Sequence, residues 1–170
     1  MCIRDRWRRP QSWSLRPLTK ALHIAPLVRY SDAHFRRLMH AIAPGSITYT
    51  EMTTHQELAH LSARKARPVS IEEGPVIMQL AGADPKALGA CAHQIEAWGY
   101  AGINFNVGCP SARVMAMEAG VALMRKPELV RDCVEAMMAS TALPVSVKTR
   151  IGIDDQDDFE FLHRFVETVG

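Results

Sequence analysis

The chain has 170 residues, 48% of them hydrophobic and 22% charged, with a formal net charge of +2. This composition suits a soluble globular protein with one sizeable core. Its longest apolar runs, such as IAPLV at 24 to 28, fall far short of the roughly 18 residues that cross a bilayer, so no membrane span is expected.

The charge is unevenly placed. Residues 1 to 20 carry Arg4, Arg6, Arg8, Arg9, Arg16 and Lys20 against Asp5 alone, a net +5 that leaves −3 for the other 150 residues. The opening MCIRDR looks like the translation of a transposon end used in preparing sequencing libraries, and residues 1 to 6 are set aside as a scar. Residues 1 to 22 are expected to be a non-native or disordered leader.

From there the apolar pattern alternates between short strand-like runs and longer stretches of period 3.6. HIAPLV (23 to 28) predicts a first strand, followed by a helix from about Asp32 to Ala43 capped by Ser31 or Asp32. SITYTEM (46 to 52) predicts a second strand, with Thr53 or Thr54 capping a helix to about Lys65. GPVIMQLAG (74 to 82) reads as a third, buried strand, and Asp84 with Pro85 opens a helix that runs to Trp98 before Gly99 ends it. AGINFNV (101 to 107) is the fourth strand, PELVRDCVEAMMAST (127 to 141) an amphipathic helix, and LPVSVKTRIG (143 to 152) the fifth strand. A last helix is expected from Asp155 to Val169, with acidic residues near its N-terminus where the helix dipole favours them. Strict alternation of this kind implies an α/β fold with a parallel sheet. An open doubly wound sheet and a (β/α)8 barrel begin alike, and periodicity leaves both open.

In such folds reactive groups gather where strands end. The polar residues there are Asp32, Glu51, Gln79, Asn104, Asn106, Cys109, Lys148 and Arg150. There is no GxGxxG, no GxxxxGK[ST] and no GxSxG, so the usual dinucleotide, P-loop and hydrolase signatures are missing. The four cysteines form no CxxC pair, the histidines show no HExxH spacing, and DDQDD at 154 to 158 reads as a solvated helix start, so no metal is expected. Cysteine usage fits a reducing cytoplasm. Cys91 and Cys133 lie in helical patterns as small buried hydrophobes, whereas Cys109 sits between Gly108 and Pro110 at a strand end. Lys148, in the otherwise apolar VSVKTRI, would be costly to bury without an electron-rich neighbour, unless it is solvated at the strand end. Gln79 offers a donor and an acceptor suited to the edge of a flat heterocycle, or to its own neighbours.

At NVGCPSARV and VKTRIGIDD the sequence resembles the tRNA-dihydrouridine synthases, most closely their A-type branch. The likeness continues through IAPLVRYSDAHFR, YTEM, PVIMQLAGADP and WGYAGINFNVGCP, covering about residues 23 to 170 in order. It implies a TIM (β/α)8 barrel of which only about the first five β/α units are present, with the C-terminal strands and a helical tRNA-binding domain missing. The implied chemistry is reduction of FMN by NADPH and hydride transfer to C6 of a uracil in tRNA, with Cys109 protonating C5. A thiol with the ordinary pKa of about 8.5 is mostly protonated near neutrality, so a cysteine suits the acid role without an activating histidine. Matched by motif, Gln79 and Lys148 would contact the flavin and the backbone around Pro26 and Leu27 would line its ring. Asn106 matches a position associated with tRNA contact, and Arg113 would meet a phosphate or the base. A monomer in the cytoplasm is expected.

The chain departs from the family pattern at APLVRYSD and in SARVMAMEAGVALM, where an aspartate is replaced by Ala112 and a glycine by Met117. These changes bear on the substrate loop. The phosphate of a barrel-bound cofactor is held by loops after strands seven and eight, so the 170-residue chain alone is expected to bind FMN weakly or not at all and to be inactive. The competing readings are a flavin barrel acting on a free pyrimidine and a non-catalytic RNA-binding barrel.

Overall fold

The computed structural model describes residues 21–60 and 69–170. The leader expected at 1 to 22 falls almost wholly outside them, as does the end of the helix expected to reach Lys65. Among the described residues, six strands form one sheet: β1 (His23–Ile24), β2 (Ile47–Tyr49), β3 (Thr53–Thr54), β4 (Val76–Ala81), β5 (Gly102–Val107) and β6 (Val145–Thr149). Between them lie α1 (Ala33–Ile42), α2 (His55–His60), α3 (Pro85–Ala97), α4 (Ala112–Met115) and α5 (Pro127–Ser140), and α6 (Phe159–Val169) follows β6.

Every named strand pair is parallel, and the order β1-β2-β4-β5-β6 follows the chain without reversal, with β3 also on β4. A doubly wound sheet reverses its order at a switch point. The absence of a reversal settles the alternative left open by periodicity: this is a parallel-strand half-barrel.

The predicted elements differ from the observed ones mainly at their ends. The first strand stops at Ile24, because Leu27 begins a turn whose carbonyl accepts from Tyr30 and Ser31 at 3.1 and 2.9 Å. Asp32, not Ser31, caps α1 by accepting from the Phe35 amide at 2.8 Å. The single second strand is interrupted: Tyr49 pairs with Ile77 and Thr53 with Leu80, so four steps on one strand face three on the other. This extra residue bends the strand as a bulge does. The Thr50 hydroxyl accepts the Gln79 amide at 3.1 Å across the interruption. The last helix begins at Phe159 rather than Asp155, because Asp158 caps it through the Phe161 amide at 2.7 Å. Gly99, at φ +79, takes the left-handed position that closes α3. The short helix α4 and a 3₁₀ segment at Gly120–Arg125 have no counterpart in the sequence reading.

The sheet's two faces are chemically distinct because side chains alternate along each strand. Met78 and Leu80 of β4 and Ile103, Phe105 and Val107 of β5 face a cluster with Leu88 and Ile95 of α3, Val130, Val134 and Met137 of α5, and Phe161 and Phe165 of α6. Phe105 is fully buried there; truncating it to alanine would cost about 3–5 kcal/mol. The other face carries Gln79, Asn104, Asn106, Ser146 and Lys148.

Candidate active site

Register places Gln79 beside Asn104 and Asn104 beside Ser146, a polar row across three strands. Asn106 pairs with Lys148 two residues further toward the strand ends. Gln79, Asn104 and Asn106 are all buried, so each amide needs partners to offset its desolvation. They supply one another. Gln79 Nε2 donates to Asn104 Oδ1 at 2.6 Å, Asn106 Nδ2 donates to Gln79 Oε1 at 2.9 Å, and Asn104 Nδ2 donates to Ser146 Oγ at 3.0 Å. Ser146 Oγ donates in turn to the Ile103 carbonyl at 3.3 Å.

The network ends at the cysteine. Asn106 Oδ1 accepts the backbone N–H groups of Gly108 and Cys109 at 3.1 and 2.9 Å, forming an Asx-type turn that closes β5. On the far side the Cys109 carbonyl accepts from the Val121 amide at 3.0 Å. This approach requires Gly120, at φ +63, where a Cβ would stand 2.4 Å from the Cys109 carbonyl oxygen. Arg150 Nε donates to the Gly108 carbonyl at 2.7 Å and fixes the same turn from beyond β6. The Cys109 thiol is half-buried, with Ser111 Oγ 3.5 Å away.

The sequence-selected residues therefore fall into groups. Gln79, Asn106 and Cys109 belong to one hydrogen-bonded chain, although Gln79 lies in the middle of its strand rather than at its end. The Lys148 side chain is exposed and forms no hydrogen bond or ion pair with any described residue, so the cost of burying it does not arise. Pro26 and Leu27 follow β1 in a separate loop. Arg113 is committed elsewhere: its Nη2 meets Glu57 Oε1 at 2.5 Å.

Glu57 itself closes a capping box on α2. The Thr54 amide donates to Glu57 Oε2 at 2.9 Å, and the Glu57 amide donates to Thr54 Oγ1 at 3.1 Å. The Thr54 amide, with help from Arg113 and against partial burial, holds the Glu57 carboxyl below its ordinary value. The T-x-x-E spacing could have announced this cap. Ser146 was also readable, since it alternates with Lys148 in VSVKT; Ser111, Gly120 and Val121 carry no comparable signal.

A parallel β/α half-barrel with a thiol just beyond one strand and buried amides beneath it gathers reactive groups where β/α barrels carry their sites. Residues 23–170 match the family described as Dihydrouridine synthase (Dus), and the chain belongs to that family. It is 45% identical over 148 residues to a tRNA-dihydrouridine(20/20a) synthase of Synechocystis sp., covering 87% of this chain and 44% of the relative. Against the protein of the same description in Escherichia coli K12, identity is 47% over 146 residues, covering 86% and 42%. A Xanthomonas campestris relative of that description is 43% identical over 148 residues, covering 87% and 44%. The chain thus spans less than half the length of these relatives.

Proposed function

We propose that the chain is the amino-terminal part of an FMN-binding barrel that reduces uridine to dihydrouridine in tRNA, with NADPH as reductant. The relatives' descriptions direct the proposal to uridines 20 and 20a. The observation that carries it is the continuous hydrogen-bonded path from Gln79 through Asn106 to the Cys109 main chain, which sets a thiol in a fixed turn beside a donor-rich strand face.

The residues present fit a flavin. Gln79 Nε2 keeps one N–H beyond its bond to Asn104, and the Lys148 ammonium is without a partner among the described residues, so both can donate to an electron-rich heterocycle. Pro26 and Leu27 would line the ring. When bound, the flavin supplies the hydride for C6 of the pyrimidine. Cys109 Sγ then gives its proton to C5, completing the addition across the double bond, and the thiolate recovers a proton from solvent. Asn106 orients this acid by holding its main chain, and it stands close enough in register to Lys148 to share a bound base with it. Arg113 would serve tRNA only by leaving Glu57. The base must be unstacked to reach such a site.

The reading carries with it a cytoplasmic, monomeric, metal-independent enzyme whose remaining strands and helical tRNA-binding domain lie outside this sequence. Among the described residues, no helix is long and apolar enough to cross a membrane.

The test uses the full-length protein with tRNA lacking dihydrouridine. NADPH-dependent loss of uridine at positions 20 and 20a is expected, with Cys109→Ala slowing it about 10²–10⁴-fold, the usual range for a general acid. Reduction of free uracil but not tRNA, or RNA binding without flavin, would overturn the proposal. The 170-residue chain alone should hold flavin weakly or not at all; stoichiometric flavin on that purified chain would contradict this.

A further inference from the structure

The loop between β1 and α1 is tied to a buried ion pair. Arg36, in α1, and Glu73, just before β4, have side chains only 11% and 3% exposed. Arg36 Nε and Nη2 both donate to Glu73 Oε2, at 2.8 and 2.6 Å. Its Nη1 donates to the Ser31 carbonyl at 2.6 Å. Ser31 is itself buried, and its Oγ accepts the Leu27 amide at 2.8 Å. A single path thus runs from Glu73 through Arg36 and Ser31 to the main chain of Leu27.

Two physical points give the path a purpose. A buried ion pair is a weak source of net stability, because desolvation of both charges offsets their attraction. The loop it reaches is strained: Arg29 stands at φ +71, a left-handed position that non-glycine residues seldom take. Such a conformation persists only where the surroundings over-determine it. Ser31 does so from both sides, its hydroxyl holding the Leu27 amide and its own amide bonding the Leu27 carbonyl at 2.9 Å.

We propose that Ser31, Arg36 and Glu73 are positioning residues for the Pro26–Leu27 backbone, and that they set how tightly the flavin ring is held. The flavin half of this statement rests on the function proposed above; the loop half does not.

The experiment takes the full-length protein and the variants Ser31→Ala, Arg36→Lys and the double variant. Hydrogen exchange at Leu27 is measured on flavin-free protein. FMN affinity is measured by fluorescence quenching, and the visible circular dichroism of bound FMN is recorded at saturation. Ser31→Ala should speed exchange at Leu27 and weaken FMN binding, each about tenfold, as expected for one lost hydrogen bond. The bound-flavin dichroism should change, which a loss of global stability alone would not cause. The double variant should bind FMN no worse than the weaker single variant, because both act on one path. Should Arg36→Lys fail to fold, Ser31→Ala decides alone, since it leaves the ion pair intact. Unchanged exchange in Ser31→Ala would overturn the positioning of the loop. Faster exchange with unchanged FMN affinity and dichroism would overturn the link to flavin. A wild-type protein that binds no FMN would overturn both the link and the proposed function, while exchange would still judge the loop.

Discussion

The carboxamide oxygen of Asn106 accepts the Cys109 amide at 2.9 Å, so a buried side chain of one strand decides where the main chain of the thiol stands. Asn106→Ala would leave two backbone donors and Gln79 Oε1 without this partner, at a cost of about 1–3 kcal/mol. Asn106→Asp would keep the acceptor while losing the donor to Gln79. Thermal unfolding should show both variants destabilised. Amide exchange at Gly108 and Cys109 should accelerate only in Asn106→Ala; equal acceleration in both would mean the turn is held by something else.

Gly120→Ala joins two costs, a non-glycine residue at φ +63 and an overlap with the Cys109 carbonyl. A destabilisation of about 2 kcal/mol or more is expected. That corresponds to a fall in Tm of roughly 4–8 °C for a domain of this size. An unchanged Tm would show that the segment after the cysteine can move away freely.

Burial pushes the thiols of Cys91 and Cys133 up, to about 11 and about 12. At pH 8 both should resist iodoacetamide in the folded protein, with Cys109 labelled first among the described cysteines. Both thiols keep their protons in the fold above the range where exposed thiols lose them. The stability this confers is present below about pH 9 and declines as pH rises toward 11 and 12. Mass-spectrometric mapping of alkylated peptides, followed by unfolding curves from pH 8 to 10.5, checks both statements.

The Glu57 carboxyl is held below its ordinary value of 4.5 mainly by the Thr54 amide. A lowered carboxyl contributes stability above its ordinary value and loses it as pH falls through the folded value. Glu57→Gln should therefore flatten the acid limb of the stability profile below about pH 4.5. At pH 7 it should cost only about 0.5 kcal/mol, because the group is partly exposed. Chemical denaturation at pH 3.5, 5 and 7 would reveal an undiminished acid limb if the cap does not act this way.

The architecture was legible because it rests on periodicity. Runs such as PVIMQLAG and GINFNV have the length and apolar content of buried strands, and Pro85 and Pro127 mark helix starts that the structure reproduces. What periodicity could not give was order across the sheet, since strand neighbours are a property of pairing. The site was half legible. Cys109, Asn106 and Gln79 stood out as polar or reactive residues at strands, yet nothing local says that Gln79 spends its amide on Asn104 and Asn106. That depends on register between strands 25 residues apart. Arg36 was hidden for a similar reason, because its partner Glu73 lies 37 residues away.

The agreement between strand order and chain order also bears on how this protein comes into being. Each of β2, β4, β5 and β6 adds to the edge left by the strand before it. Among the described strands, each pairing in this order joins segments that follow one another along the chain, so the entropy of closing each loop stays modest. A ribosome delivering the chain from its amino end would release one βα unit at a time, each finding its docking edge already made. The geometry that gathers Gln79, Asn106 and Lys148 on one face is thus compatible with assembly during synthesis, in the sequence in which the residues are joined.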